Sequence, residues 1–214
     1  MTCCNTPAWA CQFDRKLALR DLRDYRKGRV AATTKALIDA LVRAGVEQST
    51  VLDIGGGVGA IQFALLDAGA REATSVDVSA PYLDAAREEA ARQGRTGRIT
   101  FQLGDFVELA PRIPAADIVT LDRVVCCYAR MELLVRLSAE RSRRLYGLVY
   151  PRDRWLERAV VQIQNVFRAL GGNPFRSFVH SVAAMDALIR SLGFTLRHKV
   201  RTFAWEVAVY QKET

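Results

Sequence analysis

A glycine-rich loop follows an apolar run at residues 51–60, VLDIGGGVGA. Gly55, Gly57 and Gly59 allow the backbone to turn sharply after a strand and to approach a ligand closely, and the helix that follows begins with free N–H groups. A Walker-type triphosphate loop would need a lysine after the last glycine, and none is present. The same glycines fit the dinucleotide fingerprint G-x-G-x-x-G/A, which is a weak signal by itself. The loop therefore predicts a nucleotide-type ligand and excludes triphosphate hydrolysis.

Acidic residues near this loop narrow the choice of ligand. Asp53 would repel a diphosphate but would attract an ammonium group. Asp77 ends the second predicted strand, where an acid can bind ribose hydroxyls, although it could also cap the next helix. Asp105 and Phe106 follow the third strand and suit the edge and face of an adenine, although Asp105 could simply form a turn. Amine, ribose and adenine together describe S-adenosylmethionine, whose product is S-adenosylhomocysteine. We also assign three neighbouring residues to the cofactor site: Val78, Asp122 and Arg123.

Hydrophobic patterns place these residues in an alternating series of strands and helices. The predicted helices are residues 14–27, 31–44, 58–68, 81–93, 130–140, 153–169 and 181–192. The predicted strands are residues 50–54, 73–78, 98–103, 116–121, 144–150, 194–201 and 203–211. This alternation of strands and helices predicts a parallel sheet with crossover helices, and the short connection before the last strand predicts an antiparallel final pair.

Three motifs over residues 50–122, namely D-x-G-x-G-x-G, an acid that closes strand two, and G-D-F, resemble those of class I S-adenosylmethionine-dependent methyltransferases. That resemblance implies an α/β, Rossmann-like fold whose seven-stranded, mostly parallel sheet has an antiparallel last strand. The chain is further similar to the magnesium protoporphyrin IX methyltransferase group and its bacterial relatives. This similarity rests on RDLRDYRKG before the core, LDRVVCCYA after strand four, RRLYGLVYPRDRW around strand five, and a distal FVH segment.

We expect a single methyltransferase domain over residues 1–214, composed of four segments. These are an N-terminal helical cap (1–47), a cofactor-binding core (48–150), a helical lid insertion (151–180), and a last helix with closing strands (181–214).

The resemblance to the porphyrin enzymes also implies candidate catalytic residues. Tyr25 matches a substrate-site tyrosine of the pre-core helix. A histidine of the strand-four motif is replaced here by Cys127, while the tyrosine that follows is kept as Tyr128. Methyl transfer mainly requires alignment and exclusion of water, and an ionised carboxylate needs no base. We therefore expect a small-molecule acceptor, methylated on a carboxyl or hydroxyl oxygen of a planar apolar substrate.

The insertion at residues 151–180 contains aromatic residues and arginines, which suit a flat carboxylic acid. From it we assign Trp155 and His180 to the substrate site. Two alternatives remain: the segment is an amphipathic helix with a solvated basic face, and His180 caps the last helix or lies on the surface.

The five cysteines form no evident disulfide framework. Cys126 and Cys127 fall on the expected acceptor side, and Cys3, Cys4 and Cys11 precede helices that should cover the same region. An alternative is therefore methylation of a thiol or a metalloid. We assign no metal ligands, and if strand four extends this far, alternation allows one of Cys126 and Cys127 at most to face the ligand.

The net charge of +8 leaves a nucleic-acid partner, and hence an RNA methyltransferase, as a further alternative. The Asn/Asp-Pro-Pro-Tyr/Phe signature of base methylation is missing after strand four, so we do not expect such a partner. The sequence has no apolar run long enough to span a membrane and no secretion signal, which favours a cytoplasmic protein. Contact of the basic segment with a membrane surface and the oligomeric state stay open.

Overall fold

The structure is a computed structural model that describes residues 8–213, without the side chains of residues 10 and 11. Its helices are α1 (Ala8–Gln12), α2 (Arg15–Arg26), α3 (Ala32–Arg43), α4 (Ala60–Asp67), α5 (Ala80–Arg92), α6 (Phe106–Leu109), α7 (Met131–Glu140), α8 (Trp155–Leu170) and α9 (Val182–Ser191). Its strands are β1 (Thr50–Ile54), β2 (Glu72–Asp77), β3 (Ile99–Leu103), β4 (Ala116–Asp122), β5 (Ser142–Pro151), β6 (Phe194–Arg201) and β7 (Trp205–Lys212). No helix in this part of the chain is both long and apolar enough to cross a membrane.

All seven strands join one sheet in the order β3-β2-β1-β4-β5-β7-β6. The strands from β3 to β5 pair in parallel, and β7 is antiparallel to both β5 and β6. The predicted fold class, a Rossmann-like α/β sheet with an antiparallel last strand, is confirmed. The order of strands reverses between β1 and β4, and open α/β sheets bind their ligands in the crevice at such a point.

The central strands are apolar on both faces because helices cover both sides of the sheet. Alternate residues of β5 show this division. Tyr146 and Leu148 pack in a core with α7 and α9, whereas Leu145 and Val149 pack in a second core with α3 and α4. The strand thereby holds the carboxyl end of β4 between two packed layers.

Helix α2 is attached to the core by polar contacts. From α2, Arg26 donates a 2.8 Å hydrogen bond to the buried Glu89 of α5, and Asp21 accepts one of 2.5 Å from the Tyr82 hydroxyl. Arg92, Gln93 and Arg26 all donate to the Glu89 carboxylate, which lowers its pKa to about 2. These contacts fix α2 beside the glycine loop.

Several predicted boundaries differ from the structure. The helix predicted from residue 58 begins at Ala60, because Gly59 adopts a left-handed φ of 92° as its N-cap. The short helices α1 and α6 were not predicted. Strand β4 ends at Asp122, and residues 125–127 form a 3₁₀ turn, so the strand alternation expected for the two cysteines does not apply.

Gly147 of β5 permits close packing of α3 on the sheet. A Cβ atom added there would lie 2.8 Å from Cδ1 of the fully buried Leu37. We expect Gly147→Val to lower the free energy of unfolding by about 1–3 kcal/mol, because the core has no room for the added methyl groups. Urea unfolding measures the change. The exposed Gly97 has no neighbour within 4 Å, so Gly97→Val should change stability much less. Equal losses in the two variants would contradict this role of Gly147.

Candidate active site

The glycine loop joins β1 to α4 with a backbone that only glycine adopts readily. Gly55, Gly57 and Gly59 have φ values of 65°, 56° and 92°, in the left-handed region. A Cβ atom on Gly55 would overlap the Val124 side chain, and one on Gly59 would collide with Phe63. The predicted bare-backbone loop is therefore present, and its conformation is fixed by close neighbours on both sides.

Asp53 lies beneath this loop. Its carboxyl group is 1% exposed, and Oδ1 accepts a 2.7 Å hydrogen bond from the Thr120 hydroxyl. Oδ2 has no hydrogen-bond partner among the described residues. It lies so close to Gly56 that a Cβ atom there would be 3.0 Å away. Burial, with smaller contributions from nearby Asp122 and Asp77, raises the pKa of Asp53 to about 7.

Asp77 connects the loop to the end of β2. One carboxylate oxygen accepts from the Gly57 amide at 3.1 Å, and the other accepts from the Ser79 amide at 2.8 Å. Burial raises its pKa, while these two backbone hydrogen bonds lower it. The N-cap of α5 is Ser79 and not Asp77, so the helix-cap alternative for Asp77 does not hold. Asp77 and its neighbour Val78 both face the cleft.

Asp105 does cap a helix, and it also holds a tyrosine. Its Oδ1 accepts from the Val107 amide at 2.8 Å at the start of α6, and its Oδ2 accepts from the Tyr128 hydroxyl at 3.0 Å. Phe106 is buried in the core beside them and lines the cleft. Burial and the Asp105 charge raise the pKa of Tyr128, so this hydroxyl keeps its proton at neutral pH.

Asp122 and Arg123 form the tip of β4. Arg123 has a left-handed φ of 59°, which is rare for a residue with a side chain. Its guanidinium donates to Asp122 Oδ1 at 3.1 Å and to the Thr34 hydroxyl at 2.9 Å, and that hydroxyl donates to Asp122 Oδ2. The guanidinium also lies over the Trp205 ring. The tip of β4 is thereby bound to α3 and β7.

Two adjoining cavities lie along the carboxyl ends of β1, β2 and β4. The smaller, about 390 Å³, is lined by Asp105, Phe106, Tyr128 and Val78. The larger, about 580 Å³, extends from Asp53 past Arg123 to the N-terminal helices. Residues shared by both cavities lie at their junction: Phe13, Gly55, Asp77, Val78, Val124, Cys127 and Phe175. The arrangement forms one elongated cleft with Cys127 between its two ends.

The two adjacent thiols lie side by side at this junction. Cys126 Sγ and Cys127 Sγ are 3.9 Å apart, and both thiols donate to the Arg123 carbonyl oxygen. The close contact with the Cys126 thiol, assisted by the nearby Arg168 charge, lowers the pKa of Cys127. Among residues 8–213, no group of three or more typical metal-ligand side chains is present. Cys3 and Cys4 lie outside the described residues, as does the side chain of Cys11.

The other three residues that the sequence assigned to the site, Tyr25, Trp155 and His180, lie in three different environments. Tyr25 lines the larger cavity, where Gln93 donates to its hydroxyl at 3.3 Å and burial raises its pKa. Trp155 is 79% exposed and lines neither cavity. His180 is also outside the cavity linings, because its ring nitrogen Nε2 is hydrogen-bonded to the Tyr128 carbonyl at 2.9 Å. The cap of α9 is Ser181, so His180 is not the helix cap.

Residues that the sequence argument did not assign complete the cleft. Phe13 and Phe175 pack edge to face at 5.4 Å between ring centroids, and Arg168 of α8 lies over the Phe175 ring. Arg168 also donates to Asn165 Oδ1 and Ser177 Oγ, and it forms no ion pair with a described acid. The helical spacing of Asn165 and Arg168 is visible in the sequence and is a signal of a polar inner face.

The raised pKa of Asp53 makes stability depend on pH. The unfolded aspartate ionises near its usual pKa of 3.8, whereas the folded one keeps its proton up to about pH 7. The folded state therefore binds more protons between these values, and its stability falls as pH rises across that window. Asp53→Asn should lack this contribution, so wild type should lose on the order of 4 kcal/mol relative to the variant between pH 4 and 7.5. Urea unfolding at several pH values measures the difference.

A matched control for this experiment is Asp84→Asn, because Asp84 is exposed on α5. This variant should keep the pH dependence of the wild type. If Asp53→Asn and wild type instead show parallel curves, Asp53 is not the group that holds the proton.

Comparison with known proteins agrees with this geometry. The family described as a methyltransferase domain matches residues 51–145. The structure is similar to magnesium protoporphyrin IX methyltransferase from Synechocystis PCC 6803 with bound S-adenosylhomocysteine, at 18% identity and a TM-score of 0.69, covering 85% of this chain and 82% of that one. An O-methyltransferase family protein from Burkholderia thailandensis is 17% identical, with a TM-score of 0.69 and coverage of 90% and 60%.

A structure of different stated function is also similar. A putative RNA methyltransferase from Pyrococcus horikoshii is 16% identical, with a TM-score of 0.59 and coverage of 84% and 81%. No curated protein matches the sequence significantly. At these identities the structural matches show the fold, which is shared by enzymes with different acceptors. The predicted fold is confirmed, and residues 51–145 match a methyltransferase domain family, which agrees with the predicted enzyme class and the predicted cofactor.

Proposed function

We propose that this protein transfers the methyl group of S-adenosylmethionine to a carboxylate oxygen of a planar, largely apolar small molecule. The observation that carries the proposal is the elongated cleft, which has a set of cofactor-type groups at one end and an arginine among aromatic rings at the other. The cofactor supplies an electrophilic methyl group on a sulfonium. The protein's contribution is to bind, align and exclude water.

The residues of the loop fit this cofactor. The unpartnered Oδ2 of Asp53 is a buried acceptor suited to an ammonium group, and Gly55, Gly57 and Gly59 leave room for the methionine portion beside it. The Asp77 carboxylate at the junction of the cavities is suited to ribose hydroxyls. Four residues around the smaller cavity are suited to adenine: Val78, Asp105, Phe106 and Tyr128.

Asp122 and Arg123 contribute to the cofactor end of the cleft mainly by holding the tip of β4 in place. Their ion pair, bonded to Thr34, holds the tip of β4 against α3. Arg123 also lines the larger cavity with a side chain that is 42% exposed, so it can contact a carboxylate of either ligand.

The acceptor end favours an anionic, flat molecule. Arg168 lines the larger cavity with no acidic partner in the described chain, which leaves its charge for a substrate carboxylate. Aromatic side chains of Phe13, Phe175, Tyr25 and Trp205 surround that space. A charged group beside ring faces is suited to an aromatic or tetrapyrrole acid.

A carboxylate also agrees with the state of the tyrosines of the cleft and of the nearby histidine. The hydroxyls of Tyr25 and Tyr128 have raised pKa values and existing partners, and the His180 ring is bonded to a backbone carbonyl. A neutral hydroxyl acceptor would need a proton acceptor, whereas an ionised carboxylate is already nucleophilic. We therefore favour ester formation over ether formation.

A second candidate function is methylation of a thiol or of a metalloid bound by thiolates. The observation that favours it is the pair Cys126 and Cys127, whose sulfur atoms are 3.9 Å apart at the centre of the cleft. The lowered pKa of Cys127 increases its thiolate fraction at neutral pH, and soft thiolates bind metalloids. For an RNA acceptor, net charge is the one specific support.

Gly55→Ala tests the cofactor site. The added methyl group would meet Val124 and narrow the junction, so we expect at least a tenfold loss of affinity for S-adenosylhomocysteine in calorimetry. Gly28→Ala is the matched control, because Gly28 has a similar φ of 71° but no neighbour within 4 Å. Both variants carry the cost of a left-handed alanine, about 1 kcal/mol of stability. Equal affinities in the two variants would show that the loop does not contact the cofactor.

Arg168→Gln tests the acceptor class. With aromatic carboxylic acids as substrates, release of S-adenosylhomocysteine should show a KM at least tenfold higher and a smaller change in kcat, because the substrate loses its ion pair. Arg158→Gln is the control, since Arg158 lies on the same helix but is paired with Asp153. Cys127→Ser should retain most activity toward acids. Loss of all activity in Cys127→Ser, with thiols or arsenite as the productive acceptors, would instead establish the second candidate.

A further inference from the structure

Helix α8 presents its apolar face to solvent. One contiguous arc of the helix holds seven exposed apolar side chains: Trp155, Leu156, Val160, Ile163, Val166, Phe167 and Leu170. We call this set the α8 stripe. The exposed fractions reach 79% for both Trp155 and Leu170. An amphipathic helix on a single folded chain normally turns this face inward.

The opposite face of α8 is the one that packs on the protein, and it is polar. Glu157 is buried and receives hydrogen bonds from Arg154. Asn165 and Arg168 bond to each other and to Ser177 in the chain segment below. These contacts, together with Arg168 over Phe175, fix the rotation of the helix. The outward direction of the α8 stripe is thus set by specific hydrogen bonds.

The α8 stripe has the size of a protein interface. Phe203 extends it at the N-terminal end of α8, where the Arg154 guanidinium lies over its ring. Trp155, Phe167 and Phe203 are 79, 69 and 76% exposed, so at about 150–250 Å² for an aromatic side chain they present roughly 400 Å². The aliphatic members bring the total to roughly 800 Å², which is what one partner contributes to a standard interface and exceeds the usual largest patch of a monomer.

The charges around the α8 stripe favour a second copy of the chain over an anionic membrane. Its two flanks carry the exposed, uncharged Gln162 and Gln164. A membrane-surface helix would carry Lys and Arg there. Arg158, one turn before Gln162, is already paired with Asp153. Two copies can therefore meet on this face without burying like charges, even though the chain as a whole carries a net charge of +8.

We propose that the α8 stripe is the interface of a twofold-symmetric homodimer in which the two α8 helices pack antiparallel. Leu156 and Leu170 are each seven residues from Ile163, so the stripe is symmetric about its centre. Antiparallel packing places Ile163 against Ile163 of the second copy. It also keeps apart the two N-terminal ends of α8, with the positive ends of their helix dipoles, which parallel packing would bring together.

Sedimentation velocity over a range of concentrations tests the dimer. Wild type should sediment as a dimer, whereas Ile163→Glu and Ile163→Lys should each sediment as monomers, because like charges would then be buried against each other. An equimolar mixture of these two variants should restore the dimer, since Ile163 meets its own copy. Ala169→Glu is the control, because the exposed Ala169 lies on the same helix outside the stripe. It should remain dimeric.

The alternative outcomes overturn the proposal. Wild type that stays monomeric at all concentrations and cosediments with vesicles of anionic lipid would identify a membrane-binding face. If wild type stays monomeric and does not bind vesicles, the homodimer is also excluded. A dimer that persists in Ile163→Glu, with unchanged thermal unfolding, would place the interface elsewhere. A mixture that stays monomeric would exclude antiparallel self-contact at Ile163.

Discussion

The backbone between β1 and α4 must cross directly above a buried carboxyl group, and the rest of the site depends on this crossing. Asp53 and Ser75 lie so close beneath Gly56 that a side chain there would meet both of them. Above the crossing, the Asp77 carboxylate accepts from the Gly57 amide, and Val124 closes against Gly55. The loop is therefore held from below, from β2 and from β4. A loop fixed in this way can receive a ligand with little reorganisation of its backbone.

The N-terminal helices complete the cleft through contacts with residues at the strand ends. Ser79, which follows β2, donates its hydroxyl to the Phe13 carbonyl at 2.7 Å, and Phe13 packs on Phe175. On the opposite side, Thr34 of α3 bonds to both Asp122 and Arg123. Residues that follow or end the strands therefore also hold the N-terminal segments over the cleft. The shape of one end of the cleft thus depends on the other end.

The sheet and the glycine loop were predictable because both follow from local patterns. Alternation of apolar runs with helical segments determines a parallel sheet, and glycines at every second position determine a left-handed turn. The positions of Asp53, Asp77 and Asp105 beside the cleft were predictable because each residue lies at or near the end of a strand. Their actual partners are tertiary: Asp105 binds both a helix amide and Tyr128, which lies on another loop.

The acceptor end was less predictable because periodicity does not reveal which face of a helix turns inward. The pattern of α8 indicated an amphipathic helix, and the assignment of Trp155 to the substrate followed from its aromatic ring. In the structure the polar face packs inward through Asn165 and Arg168, and Trp155 points to solvent. His180 was placed near the site by its position in the chain, but a backbone carbonyl takes its ring nitrogen. Such choices depend on hydrogen bonds between distant residues.

A crystal structure of the protein with S-adenosylhomocysteine tests the central claim most directly. The account predicts adenine in the smaller cavity beside Phe106, ribose hydroxyls on the Asp77 carboxylate, and the ammonium group within hydrogen-bond distance of Asp53 Oδ2. It further predicts that the sulfur lies near Cys127, at the junction of the two cavities. A ligand bound elsewhere, or bound in this cleft with its ribose away from Asp77, would contradict the account.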